Sequence, residues 1–252
     1  MRIPKTILQV WFGGTPLTPP MLSAIDTWRT LNPSYDHILM FDDNGRKFLA
    51  DNFTEDVLLA FDTMDRGAAK SDLFRYCYLF VNGGVYSDMD NICLKPLDEW
   101  LPKDKPFISS LNLPCLTPGE QYGKHFDPES AFLASVENHK FLKMAINLCK
   151  YNVLNKAVHG PHPKMKSPYR RGLMGLTGPK LLAQAILMSS NRSIDDSLHF
   201  GENSGLSLPI KVKVTGTKFH DKFWQANLVD ENEEPVIQMK YDGYNPKDYW
   251  AF

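Results

Sequence analysis

Two short apolar runs flanking one helical pattern open the chain, and they restrict its fold more than any other feature. Ile7 to Phe12 reads as a strand ending at Gly13-Gly14, Pro20 to Leu31 as a helix, and His37 to Phe41 as a second strand. Strand, helix, strand is the pattern of a βαβ unit, whose strands run parallel because the helix carries the chain back. The expected class is therefore α/β, with a largely parallel sheet.

A further helix is expected from about Gly67 to Val81. Ala68, Leu73, Tyr76, Cys77 and Phe80 share a broad apolar face there, and Asp72 and Arg75, spaced i, i+3, sit together elsewhere. Asn82-Gly83-Gly84 ends it, Val85 to Leu94 reads as a strand, and Lys95-Pro96-Leu97 turns the chain back towards Trp100. Beyond residue 101 the pattern loosens into Pro-rich loops over 102–118, a helix from His139 to Tyr151, and a basic segment from His159 to Arg171. That segment is either a lid or acceptor-binding loop, or a plain surface loop; Lys164, Lys166, Arg170 and Arg171 would meet an anionic acceptor or lipid surface, or water. Thr177-Gly178-Pro179 opens a helix through Met188, and strands with an irregular aromatic end are expected from Ile210.

With 252 residues, 43% of them hydrophobic, the chain suits one compact domain. A net charge of −1 gives no global attraction to nucleic acid. No run approaches the roughly 20 apolar residues that span a bilayer, so a soluble, cytoplasmic or otherwise intracellular chain is expected, with membrane contact at most peripheral. The cysteines at 77, 93, 115 and 149 form no C-x-x-C pair and read as reduced core residues.

The chemistry concentrates in Asp88-Met89-Asp90. If the backbone stays extended, acids two apart point to one face, and a divalent cation is the usual partner for such a pair; hard oxygen ligands favour Mg²⁺ or Mn²⁺. Bound to a nucleotide sugar, the cation would bridge its phosphates and offset charge on the leaving diphosphate. Asp72 is suited to accept from ribose hydroxyls and Arg75 to bind phosphate or sugar oxygens, although the two also make an ordinary intrahelical ion pair. Gly83-Gly84 permits a tight turn and close ligand approach. Gln9, Val10 and Trp11 lie at the carboxyl end of the first strand, where open α/β sheets bind ligands, and Trp11 is either a base-stacking residue or core.

The segment Ala68-Ala69-Lys70-Ser71-Asp72-Leu73-Phe74-Arg75, continuing to Gly83-Gly84-Val85-Tyr86-Ser87-Asp88-Met89-Asp90, resembles the signature of glycosyltransferase family 32. That family holds the DXD sugar transferases related to yeast initiation-type mannosyltransferases, and its pattern recurs in the glucosylating domains of large clostridial toxins. Ile3-Pro4-Lys5-Thr6-Ile7-Leu8-Gln9-Val10-Trp11 and Thr177-Gly178-Pro179 resemble it too. The resemblance implies a GT-A fold, a Rossmann-like mixed sheet flanked by helices. Residues 1–252 would form one domain, with residues 1–100 the nucleotide-sugar half and residues 101–252 the acceptor side and C-terminal segment.

It further implies retention of anomeric configuration, a UDP- or GDP-sugar donor, and a glycan or glycolipid acceptor. Val10 and Trp11 would lie at the nucleobase, Asp72 and Arg75 at the ribose and donor sugar, Asp88 near ribose, sugar and metal, and Asp90 directly on Mn²⁺ or Mg²⁺, with Gln9, Gly84 and Tyr86 also binding the substrate. Many relatives carry His where this chain has Leu8, and a His and Trp near the C-terminus; here His220, four before Trp224, is the candidate third metal ligand. Two other readings stay open. One is a non-catalytic nucleotide-sugar or carbohydrate-binding module of the same fold; the other is a Mg²⁺-dependent aspartyl phosphatase, which also places D-x-D after a strand.

Overall fold

A computed structural model describes residues 2–111, 128–155, 175–190, 210–213, 226–230, 232 and 234–239. The chain runs β1 (Thr6–Trp11), α1 (Pro19–Leu31), β2 (Asp36–Phe41), α2 (Asp42–Asn52), α3 (Glu55–Thr63), α4 (Gly67–Asn82), β3 (Gly84–Ser87) and β4 (Ile92–Cys93). It continues through α5 (Leu97–Trp100), β5 (Phe107–Leu111), β6 (Pro128–Ser135), α6 (Lys140–Leu154), α7 (Pro179–Ser189), β7 (Ile210–Lys213), β8 (Ala226–Val229) and β9 (Pro235–Met239). His159 to Arg171, His220, Trp224, Cys115 and the aromatic end lie outside the described residues.

One sheet gathers the strands in the order β2-β1-β3-β6-β5-β7-β8-β9-β4. The expected βαβ unit is present: β1 pairs parallel with β2 from Thr6↔Asp36 to Trp11↔Phe41, and parallel with β3 at Ile7↔Val85. Beyond these pairs only β5 and β7 run parallel among the described residues, so the sheet is mixed rather than largely parallel. β6 is antiparallel to both β3 and β5, and β8 is antiparallel to β7 and β9. The connection from β8 to β9 is short, which leaves no length for the crossover that parallel pairing requires.

As the inner strand of the parallel set, β1 is buried on both faces. Leu8 and Val10 join Tyr86 and Leu133 in the core shared with α2, α3, α4, α6 and α7. Ile7, Val85, Phe132 and Ala134 face the opposite way, against Trp28 of α1, Leu97 of α5 and Ile237 of β9. Cys77, Cys93 and Cys149 are buried free thiols, as expected for reduced core residues. Among the described residues, no helix is long and apolar enough to cross a membrane.

Between α4 and β3 the backbone reverses through Gly83 at φ 62° and Gly84 at φ 100°, a region that side chains with a Cβ rarely enter. The expected strand from Val85 to Leu94 is corrected: it breaks after Ser87, and Asp88 to Asn91 form a turn before the short β4. The acids are therefore not two steps apart on one extended face.

At its other end α4 starts against the β1 terminus so closely that a Cβ on Gly67 would lie 1.9 Å from the Phe12 carbonyl oxygen. In an open helix, Gly to Ala gains about 1 kcal/mol. Here Gly67→Ala is expected to destabilise by about 1–3 kcal/mol, because backbone rather than a flexible side chain must move. Urea unfolding checks the sign.

Candidate functional site

The Gly83-Gly84 turn brings the Asp88 carboxylate to a cation on α4 that already faces Asp72. From Arg75 to the end of α4 the helix rises about 10 Å, and from Gly84 to Asp88 the strand advances about 13 Å, so the two residues stand at matching heights. Arg75 Nη2 lies 3.1 Å from Asp72 Oδ1, one turn back on α4, and Nη1 lies 3.4 Å from Asp88 Oδ1. Nη1 also donates to the Ser130 carbonyl of β6 (2.6 Å), and Nε to the Ser71 carbonyl (3.1 Å). The guanidinium carbon sits 4.3 Å from the centre of the Tyr86 ring, and the Tyr86 hydroxyl donates to Asp88 Oδ1 at 2.6 Å. Thr177, just before α7, donates to Asp72 Oδ2 at 2.8 Å and accepts from the Tyr76 hydroxyl through its carbonyl at 3.0 Å.

Asp72, Arg75 and Tyr86 are all buried, so this is not the exposed helix pair that i, i+3 spacing usually makes. Burial, against the opposing pull of Arg75 and the Thr177 hydroxyl and with a smaller push from the Asp88 charge, raises Asp72 to about 6. Burial acts to lower Arg75, but Tyr86, Asp72 and Asp88 outweigh it and hold the guanidinium charged. Burial likewise raises Tyr86 well above its usual value, which keeps the phenol protonated as a donor to Asp88.

The Asp72 shift sets a pH dependence. Its folded-state value of about 6 lies above the ordinary 3.8, so the folded chain binds the proton more tightly than the unfolded one. The resulting stabilisation is full below about pH 4 and is lost as pH rises towards 6. The expected result is that Asp72→Asn gains stability relative to the parent over that window, by about 2 kcal/mol in total. Unfolding curves of both proteins at pH 4, 5, 6 and 7, without metal, measure that difference.

The D-x-D turn is pinned from several directions. Asp88 N–H donates to the Ala131 carbonyl (2.9 Å), and the Asp88 carbonyl accepts from Asn91 N–H (3.2 Å). The Asn91 side chain folds back to donate to Ser87 Oγ (3.1 Å) and to the Ala131 carbonyl (3.0 Å), while the Trp28 indole donates to the Asn91 carbonyl at 2.8 Å. Gln9 Nε2 also donates to the Asp88 carbonyl, at 3.2 Å. Met89 points into a small apolar cluster with Met21 and Ile25 of α1, against which Trp11 packs; the Trp11 indole donates to the Thr15 carbonyl at 2.8 Å.

The sequence-expected residues thus separate. Asp72, Arg75, Tyr86 and Asp88 meet in one network, and Gln9 reaches Asp88 from β1. Val10 is a core side chain, and Gly84 serves the turn. Trp11 is half-buried at the carboxyl end of β1. Thr177, Asn91 and His37, which sequence reading gave no place in the site, hold its members. Only Thr177 stood in a quoted motif; Asn91 and His37 carry no pattern that would single them out.

Among the described residues of the turn, Asp88 and Asp90 are the oxygen donors that could hold a hard divalent cation. Asp88 keeps 27% side-chain exposure with Oδ1 committed to Arg75 and Tyr86, and Asp90 follows within the turn at 2% exposure. Two carboxylates fit Mg²⁺ or Mn²⁺, which fill their remaining positions with water and phosphate oxygens. Among the described residues no group of three His, Cys, Asp or Glu is gathered to hold a metal by protein ligands alone.

Residues 20–107 match the family described as a glycosyltransferase sugar-binding region containing a DXD motif. The chain is 29% identical over 161 residues to an initiation-specific alpha-1,6-mannosyltransferase of Candida albicans, covering 62% of this chain and 40% of that protein. It is 35% identical over 99 residues to inositol phosphoceramide mannosyltransferase 2 of Schizosaccharomyces pombe, covering 39% of this chain and 28% of that one. It therefore spans well under half the length of these relatives.

Its fold superposes on PaToxG glycosyltransferase with a TM-score of 0.54 at 16% identity, covering 74% of this chain and 70% of that one. The catalytic domain of alpha-toxin from Clostridium novyi gives 0.51 at 12% identity, covering 82% and 78%. The region carrying Asp72, Arg75 and the Asp88-Met89-Asp90 turn is thus similar to the DXD-containing sugar-binding region of glycosyltransferases, and it is carried on a GT-A type fold.

Proposed function

We propose that the chain is a metal-dependent hexosyltransferase that moves a mannose-type sugar from a UDP- or GDP-sugar to a hydroxyl of a glycan or glycolipid, with retention of configuration. The observation that carries this reading is the buried Asp72–Arg75–Asp88 network, which delivers a D-x-D turn to the carboxyl ends of β1 and β3. The names of the mannosyltransferase relatives support the sugar and the class of acceptor. One catalytic domain over residues 1–252 goes with this reading, since strands from both halves share a sheet.

Asp88 and Asp90 would hold Mn²⁺ or Mg²⁺. When bound, that ion supplies positive charge against the leaving diphosphate. The chain's own residues do the rest. Arg75 and Tyr86 fix one Asp88 oxygen, which leaves the exposed part of that carboxylate to face the donor. Trp11 and the Gly13-Gly14 turn stand at the nucleotide end. Positioning and a fixed electrostatic environment account for rate in this scheme, and the leaving phosphate accepts the acceptor's proton, so no strong side-chain base is required.

The test is a thermal-shift panel of UDP, GDP and their mannose and glucose conjugates, each with and without Mn²⁺, followed by donor hydrolysis and the anomer of the product. A ligand that binds only the folded state raises its melting temperature. A Mn²⁺-dependent shift with one nucleotide and turnover of its sugar conjugate is the expected outcome. A shift without turnover would instead identify a binding module, and no shift at saturating metal removes the donor site.

A further inference from the structure

Gln9 was expected to touch the nucleotide, yet it is fully buried. Its amide nitrogen donates to the Asp88 carbonyl at 3.2 Å, and its amide oxygen lies 2.8 Å from His37 Nε2 on the neighbouring strand β2. His37 Nδ1 accepts from Arg29 Nε of α1 at 3.0 Å. These bonds define one another. Because Nδ1 accepts from a guanidinium, the proton of a neutral imidazole sits on Nε2, and Nε2 then donates to the Gln9 oxygen. With its oxygen so occupied, the Gln9 amide must present its nitrogen to Asp88. The amide orientation is therefore fixed from the outside of the sheet inwards, through Arg29, His37 and Gln9 to the first residue of the D-x-D turn.

The groups around the ring favour the same arrangement. Burial, reinforced by Arg29 and opposed by Asp26, lowers His37 to about 4, so the ring stays neutral near pH 7. The register places the two side chains for this contact: Gln9 pairs with Leu39 and His37 with Ile7, two steps along the same face.

We propose that Gln9 and His37 are positioning residues for the D-x-D turn: His37 sets the Gln9 amide, which clamps the Asp88 carbonyl and holds the turn ready for a metal-bound nucleoside diphosphate. This rests on the donor-site reading above. Neither residue touches the ligand; both act through the Asp88 backbone. Two acids in a turn lose affinity when the turn samples other shapes, because the cation then selects only the competent fraction.

The experiment measures Mn²⁺ affinity in the presence of saturating GDP, and separately UDP, by the electron-spin signal of free Mn²⁺. It compares the parent, Gln9→Met, His37→Phe and the double variant, with melting temperature recorded for each without ligand. Gln9→Met is expected to weaken Mn²⁺ binding about tenfold and His37→Phe about threefold. The double variant is expected to match Gln9→Met alone, because His37 acts only through Gln9. A role confined to packing would lower melting temperatures and leave Mn²⁺ affinity unchanged, and that result overturns the proposal, as does strict additivity in the double variant.

If a variant fails to fold, the parent still decides the matter. Nitrogen-15 spectra of His37 are expected to show the Nε2–H tautomer, with that proton shifting on addition of Mg²⁺ and GDP or UDP. An Nδ1–H tautomer, or a resonance indifferent to a ligand that demonstrably binds, overturns the clamp while the donor site stands. A parent that binds neither nucleotide with metal overturns both.

Discussion

Arg75→Met is expected to cost about 3–5 kcal/mol of folding stability and to abolish sugar transfer, and the two losses are expected to respond differently to a second substitution. Arg75 is 5% exposed and is the cation beside both Asp72 and Asp88. Removing it leaves Asp72 buried with its charge uncompensated and takes a donor from the Ser130 carbonyl. The chain has one escape, which is to protonate Asp72 further, so the destabilisation is expected to shrink as pH falls towards 5.

Adding Asp72→Asn to Arg75→Met removes that charge while an amide still accepts from Thr177. The double variant is expected to regain most of the lost stability, since neutral replacement of a whole buried ion pair is often close to harmless. Activity is expected to stay lost, because Asp88 no longer has its guanidinium partner. Urea unfolding and donor hydrolysis on the same four proteins check this. Recovery of both properties together would reduce the network to a packing device.

What was legible in the sequence follows from how local each cause is. Helix α4, its Gly-Gly exit and the first two strands were legible because turn residues mark their ends, and Asp72 with Arg75 because helix spacing alone makes them neighbours. Helix α2 was not singled out: it is polar and carries Gly45 in its first turns. The structure supplies the reason for that glycine, since a Cβ there would lie 2.6 Å from the Phe12 ring, a contact between residues 33 positions apart.

The break after Ser87 was also hidden. No Gly or Pro marks it; the turn is made by the Asn91 side chain reaching Ala131, and β6 is placed only by tertiary pairing. For the same reason the Arg75–Asp88 contact was missed, while the Asp72–Arg75 ion pair was foreseen. Arg75 is on α4 and Asp88 just past β3, and the comparable lengths on either side of the Gly-Gly turn bring them together. Gln9 was noticed for its place near the strand end, but its burial and its bond to the Asp88 carbonyl depend on tertiary packing.

Asp90→Asn is the sharpest test of the turn itself. The side chains are nearly isosteric, and Asp90 is 2% exposed, so the substitution changes charge where water cannot screen it. If the task of Asp90 is to ligate a cation, the metal-free variant is expected to melt at or above the parent temperature, because an amide loses less than a carboxylate on leaving water. The rise in melting temperature that Mn²⁺ and nucleotide give the parent is expected to vanish. Donor turnover is expected to fall by two to three orders of magnitude, on the order of what removal of one group stabilising a developing anion costs. The opposite pattern, a lower melting temperature with an intact Mn²⁺ response, would make Asp90 a structural acid of the turn and leave Asp88 as the sole metal-binding carboxylate there. Since Asp88 already shares one oxygen with Arg75 and Tyr86, that result would move the search for ligands beyond residue 213, to His220 and the C-terminal segment.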